Sequence, residues 1–138
     1  MGLILDSSIL IAAERRGLDD LETLEQLKTR YGDTTIGLSV VTIAELMHGA
    51  YRAQDEARKL RRLTFIDRIC QELAIYPVTV EIARTVGRIE GQQAVLGFTL
   101  AFEDLAIGVT ALQLGYEIVT LNEKDFKLVP GLQIWKPE

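Results

Sequence analysis

Gly2-Leu3-Ile4-Leu5-Asp6-Ser7-Ser8 opens with a short apolar run, then a single carboxylate, then two small hydroxyls. The apolar run reads as a buried strand. Ser7 to Arg16 has the pattern of a short helix closed by Gly17, because glycine is the usual stop after the last helical turn. A strand that passes directly into a helix through an acid is the first half of a βα unit. It sets the expectation for everything downstream.

The same alternation continues to the end of the chain. Asp19 to Tyr31 carries Leu21, Leu24 and Leu27 at helical spacing and ends at Gly32, so it is read as an amphipathic helix. Thr34 to Leu38 is rich in β-formers, and Ser39 is placed to cap a helix from Val40 to about Ala53. Glu56 to Leu73 is helical, with Leu63, Ile66, Cys70 and Leu73 expected on its buried face. Ala74 to Tyr76 is a brief strand stopped by Pro77, and Thr79 caps a helix reaching about Val95. Glu103 to Leu114 is almost wholly apolar, hence a buried helix, and Gly115 ends it. Glu117 to Leu121 is a fourth strand, residues 122–130 a loop, and Leu132 to Trp135 a last short strand. Strands alternating with helices predict the α/β class: a short parallel β-sheet flanked by helices on both faces. With no repeat or linker, one domain over residues 1–138 is expected. Ligands of such sheets bind outside the carboxyl ends of the strands.

Composition narrows the function. With 48% apolar and 25% charged residues among 138, the chain can build a real core and is not disordered. Residues 1–13 are apolar, but Asp6 interrupts them and no basic segment precedes them, so a strand and helix are expected rather than a signal peptide. No run is long enough to span a membrane. A single cysteine, Cys70, excludes an internal disulfide and favours the cytoplasm. The net charge of −5 argues alone against nucleic-acid binding. Yet between Arg52 and Arg68 six basic residues stand against three acidic ones, forming a local positive stripe.

Asp6, Glu45 and Asp104 each sit in an apolar context. Glu45 follows Val40-Val41-Thr42-Ile43-Ala44, and Asp104 opens a run from Leu105 to Leu112 with no other charge. Each has an ordinary explanation. Asp6 and Asp104 suit helix N-caps, and Glu45 suits a helix surface. As a cap, Asp6 would cost about 0.5–2 kcal/mol on removal; as a metal ligand its removal would leave stability unchanged or raised. Together the three carboxylates are harder to explain as scaffolding. Two carboxylates about 4 Å apart repel by about 4 kcal/mol at an effective dielectric of about 20, a large share of the roughly 5–15 kcal/mol that stabilises a domain. A hard divalent cation removes that liability, and Mg²⁺ and Mn²⁺ prefer such oxygen donors. It also equips a site to polarise a phosphoryl oxygen, activate water and hold a leaving oxygen.

The sequence resembles the PIN-domain ribonucleases of the VapC toxin type, over essentially its whole length. The likeness is carried by Ile4-Leu5-Asp6-Ser7-Ser8 and by Ser39-Val40-Val41-Thr42-Ile43-Ala44-Glu45-Leu46. Its most specific part is Phe102-Glu103-Asp104-Leu105-Ala106-Ile107-Gly108, then Val119-Thr120-Leu121-Asn122-Glu123-Lys124-Asp125-Phe126 and Val129-Pro130-Gly131-Leu132. The resemblance implies a single PIN-like domain and a metal-dependent endoribonuclease, the toxin of a type II toxin–antitoxin pair. It would hydrolyse phosphodiesters of structured cellular RNA with Mg²⁺ or Mn²⁺ and a metal-activated water, leaving 3′-hydroxyl and 5′-phosphate ends. Asp6, Glu45 and Asp104 match the acidic triad, and Asn122 the fourth position, an Asp in many relatives. Asn122 lacks that charge, which Asp125 would supply. Ser7 and Thr120 match hydroxyl positions near the site. Glu103 turns about 100° from Asp104 on a helix and is left aside. The implied partners are a small antitoxin occluding the acids, RNA and a second copy of the chain. The surface expected for a protein partner is the helix pair around residues 40–73. Arg58, Lys59, Arg61 and Arg62 are candidates to follow an RNA backbone, against a reading of that stripe as a solvated helix face. His48, the only histidine, is expected at the surface.

Two other readings compete. A phosphatase using Asp6 as nucleophile would want a second acid two residues on, where this chain has Ser8. A catalytically silent PIN-like domain that binds only a metal or a partner is the alternative that Asn122 keeps open.

Overall fold

The computed structural model describes residues 2–137; Met1 and Glu138, the ends of the domain expected above, lie outside the described residues. Five strands and six α-helices follow in order among them: β1 (Gly2–Leu5), α1 (Ser7–Arg15), α2 (Asp20–Tyr31), β2 (Thr35–Ser39), α3 (Val40–Arg52), α4 (Glu56–Glu72), β3 (Ala74–Tyr76), α5 (Val80–Val95), α6 (Phe102–Leu114), β4 (Glu117–Val119) and β5 (Ile134–Trp135). The strands form one sheet in the order β3-β2-β1-β4-β5, every pair parallel. The chain steps outward from β1 through β2 to β3, then crosses back to lay β4 and β5 on the other side. The order therefore reverses between β1 and β4. In an open parallel sheet, the crevice at that point, outside the carboxyl ends, is where a ligand fits.

Period-two alternation divides β1 between two cores. Leu3 and Leu5 face a layer with Leu10, Leu27, Tyr31 and Ile69, from α1, α2 and α4. Ile4 faces Ile107, Ala111 and Phe126 on the opposite side. α5 packs outside α6 through Ile82, Val86, Ile89, Leu105 and Val109. α6 thus lies between the sheet and another helix, which accounts for its unbroken burial from Leu105 to Ala111. Burying each large side chain there contributes about 1.5–3 kcal/mol before entropy is charged against it.

Local signals act where expected. The Ser39 and Thr79 side chains accept from Val41 N–H and Ile82 N–H at 3.1 Å each, and Gly115 closes α6 at φ 70°. Three expectations are corrected. On α4 the buried residues are Ile66 and Ile69, and Cys70 is exposed; a 3–4 apolar spacing fits two faces about 100° apart, and the larger branched side chain takes the core. α6 begins at Phe102 with Ala101 at the N-cap, so Asp104 is no cap. β4 stops at Val119, and a 3₁₀ turn spans Glu123–Asp125.

Gly37 in β2 is required by contact. A Cβ there would lie 2.5 Å from the Tyr76 ring and 3.0 Å from the Ala74 carbonyl oxygen. Gly37→Ala is expected to cost about 1–3 kcal/mol, as overpacking does, read as a lower thermal midpoint. An unchanged midpoint would show that β3 can move away.

Candidate active site

Asp6 is the first residue beyond β1, and its N–H still pairs with the Val119 carbonyl at 3.0 Å. It occupies the N-cap position of α1, yet its side chain makes no capping bond. Instead, buried at 5% exposure, its Oδ2 accepts from two hydroxyls: Ser8 Oγ at 2.8 Å and Thr120 Oγ1 at 2.9 Å. Those hydroxyls accept in turn from backbone. Leu121 N–H donates to Ser8 Oγ at 3.1 Å, and Asn122 N–H to Thr120 Oγ1 at 2.9 Å. The two strands on either side of the order reversal are therefore joined through one carboxylate oxygen.

Glu45 lies on α3 and Asp104 in the first turn of α6, and both side chains are half-buried at this crevice. Burial, then the charges of Asp6 and Asp104, push the Glu45 carboxyl up to about 7 against a hydrogen bond from Ser7. Burial, then Asp125, Asp6 and Glu103, push Asp104 up to about 6. Both shifts have the same origin: desolvation and like-charge repulsion each disfavour the ionised carboxyl. The Glu45 Oε1 atom is buried with no hydrogen-bond partner, an expensive condition for a carboxylate oxygen.

These carboxylates sense one another's charge, yet among the described residues no three acid, histidine or cysteine side chains are gathered tightly enough to hold an ion as they stand. The donors fit a hard cation: oxygen only, partly desolvated, with one oxygen unpartnered.

The PIN-domain family model matches residues 3–132, nearly the whole chain and all of the acidic positions. The chain belongs to the PIN-domain family. Among similar proteins, Ribonuclease VapC1 of Rickettsia felis and Ribonuclease VapC of Rickettsia bellii are each 34% identical to it over 134 residues, covering 97% of this chain and 95% of theirs. Similar solved structures are VapBC2 of Rickettsia felis bound to a promoter DNA fragment (TM-score 0.83, 22% identity, all of both chains) and DNA-bound VapBC of Salmonella typhimurium (TM-score 0.79, 22% identity, 99% of this chain and 98% of that one). At that identity the two structures speak to the fold, and they match the parallel PIN sheet described above.

Within this PIN domain the other expected residues separate. Asp125 is half-buried and second only to burial in raising Asp104, whereas Asn122 is exposed and engages Thr120 through its backbone. Ser7 reaches Glu45, not Asp6. Sequence reasoning missed Ser8, whose hydroxyl grips Asp6. It also set aside Glu103, whose charge reaches both Glu45 and Asp104; exposed carboxylates interact through space without pointing at the site. His48 is exposed.

The residues of the basic stripe differ in their contacts. Arg62 makes an internal tie. Its Nη2 and Nε meet Glu14 at 2.7–3.1 Å, and Nη1 donates to the Gly49 carbonyl at 2.9 Å, linking α4 to α1 and α3. Lys59 sits 4.4 Å over the Tyr51 ring. Arg58 and Arg61 line a groove of about 780 Å³ between α1, α2 and α4, together with Leu18 and Phe65. Arg62→Ala should therefore cost about 1 kcal/mol or more, and Arg61→Ala under about 0.5 kcal/mol. Equal midpoints in urea melts would contradict the tie.

Proposed function

We propose that this PIN domain is a VapC-type endoribonuclease, the toxin of a type II toxin–antitoxin pair, working in the cytoplasm with Mg²⁺ or Mn²⁺. The observation that carries the reading is the electrostatic coupling of Glu45 to the charges of Asp6 and Asp104, and of Asp104 to that of Asp6, with one Glu45 oxygen buried and unpartnered. Family membership and the 34% identity to proteins named as VapC ribonucleases supply the substrate class. Asp6, Glu45 and Asp104 would hold the cation, with Asp125 as a fourth charge in place of Asn122. Bound there, a divalent cation supplies Lewis-acid polarisation of a phosphoryl oxygen and eases the ionisation of water. The chain's own residues do the rest. Ser8 and Thr120 orient Asp6, Ser7 holds Glu45, and the partial burial of Glu45 and Asp104 strengthens their interaction with a cation relative to open water.

The antitoxin is proposed to lie against the groove of α1, α2 and α4. Leu18 and Phe65 offer apolar anchorage there, and Arg15, Arg58 and Arg61 offer positive charge. Glu45 lines the adjoining, smaller hollow between α1, α3 and α4, so a segment lying in the groove has a short path to the acids. A homodimer is proposed for the free toxin. No helix among the described residues is long and apolar enough to cross a membrane.

The chemistry is tested on the products. Labelled structured RNAs incubated with the protein and Mn²⁺ or Mg²⁺ should yield fragments ending in 3′-hydroxyl and 5′-phosphate, and EDTA should prevent them. Cyclic-phosphate ends, or cutting that survives EDTA, would exclude the proposed metal-assisted hydrolysis.

A further inference from the structure

We propose that Ser8 is a positioning residue which, with Thr120, fixes the orientation of the Asp6 carboxylate that would hold the cation and ties the segment carrying Asp125 to that orientation. The inference rests on the metal reading above. Both hydroxyls donate to the same Asp6 oxygen, Oδ2, at 2.8 and 2.9 Å. A carboxylate oxygen that has accepted two short hydrogen bonds has its lone pairs engaged and its plane fixed. The hydroxyls stand 3.4 Å apart, farther from each other than either is from Asp6 Oδ2.

What orients them is the second half of the device. Leu121 N–H donates to Ser8 Oγ and Asn122 N–H to Thr120 Oγ1. A backbone N–H can only donate, so it fills a hydroxyl lone pair and leaves the hydroxyl proton to point elsewhere. Two successive amides of the segment leaving β4 thereby set the direction of both protons toward Asp6. The same segment continues into the 3₁₀ turn Glu123–Asp125, which brings Asp125 within electrostatic reach of Asp104. Asp6 at the end of β1 and Asp125 beyond β4 are therefore held in one register by two relays of the form amide, hydroxyl, carboxylate. Ser8 lies on α1 and Thr120 beyond β4, so the clamp closes across the sheet's order reversal and not within one element.

The test is Mn²⁺ affinity, followed by the loss of the free-ion electron paramagnetic resonance signal, for the wild type, Ser8→Ala, Ser8→Thr and Thr120→Ser, with thermal melts confirming that each is folded. Ser8→Ala is expected to weaken Mn²⁺ binding about 10-fold, within the roughly 10–100-fold cost of losing an outer partner of a metal ligand. Ser8→Thr and Thr120→Ser keep the hydroxyl and should stay within about threefold of wild type on the same ground. Folded Ser8→Ala that binds Mn²⁺ like wild type overturns the proposal and leaves the metal reading standing. Ser8→Thr as weak as Ser8→Ala overturns it too, because shape and not the hydroxyl would then matter. Wild-type protein that binds no Mn²⁺ overturns the metal reading and the proposal with it.

Discussion

Asp104→Asn is expected to abolish RNA cleavage while making the metal-free protein more stable. The Asp104 carboxyl is pushed up to about 6 by burial and by Asp125, Asp6 and Glu103. At neutral pH its charge therefore opposes folding, and an amide of the same shape removes the opposition. Cleavage should fall by more than about 100-fold, since even an outer partner of a metal ligand can cost that much. The thermal midpoint at pH 8 should rise by a few degrees, as roughly 1 kcal/mol does in a domain near this size. Asp6→Ala should lose cleavage equally but should not gain stability. Its removal strands the Ser8 and Thr120 hydroxyls at the end of two backbone relays, a cost of about 1–3 kcal/mol. The structure thus replaces the earlier expectation for Asp6, that removing a metal ligand is neutral or favourable, with a loss. That loss comes from its hydroxyl partners and not from helix capping.

The second large effect is a stability that falls with rising pH when metal is removed. Glu45 is raised from 4.5 to about 7 and Asp104 from 3.8 to about 6. A raised carboxyl binds its proton more tightly in the folded state than in the unfolded one. Its stabilising contribution is complete below the unfolded value, near pH 4, and is lost as pH climbs through 6 and 7. Metal-free protein should therefore lose about 1–2 kcal/mol between pH 4.5 and 7.5 from these two groups, after discounting for their half-exposed positions. Glu45→Gln/Asp104→Asn should flatten that slope. Mn²⁺ should act oppositely, because it binds the ionised carboxylates. At about 100 times its dissociation constant it adds about 2.7 kcal/mol near pH 7.5, and much less at pH 5. Melts from pH 4.5 to 8, with EDTA or Mn²⁺, measure both slopes. A metal-free slope identical in wild type and double variant would contradict the coupling of the two acids.

Much of this was legible before the fold was known. Local signals sufficed for β1, for the caps at Ser39 and Thr79 and for the burial of α6, because each depends on neighbours within a turn or two. The sheet order could not be read that way. Only the crossing from β3 back past β1 to β4 creates the crevice, and it depends on which side of β1 the later strands settle. Asp6, Glu45 and Asp104 stood out as charges in apolar runs. Ser8 looked like an ordinary second residue of a helix, and its role appears only when the segment beyond β4, over 110 residues later, closes on it. Arg62 shows the converse. In sequence it belongs to a basic stripe, yet Glu14, 48 residues away, and Gly49, 13 residues away, make it a structural tie. Cys70 and Ile69 were exchanged because helical spacing fixes a face only to within one residue.

The measurement that bears most directly on the central claim is cleavage of a panel of labelled structured RNAs by wild type and by Asp6→Ala/Asp104→Asn, purified in parallel and assayed with Mn²⁺, Mg²⁺ or EDTA. The account predicts cuts by wild type that need the metal, and none by the folded double variant under any condition. Equal cutting by both proteins would contradict it, because the acids at the sheet's order reversal would then not be the site of the chemistry.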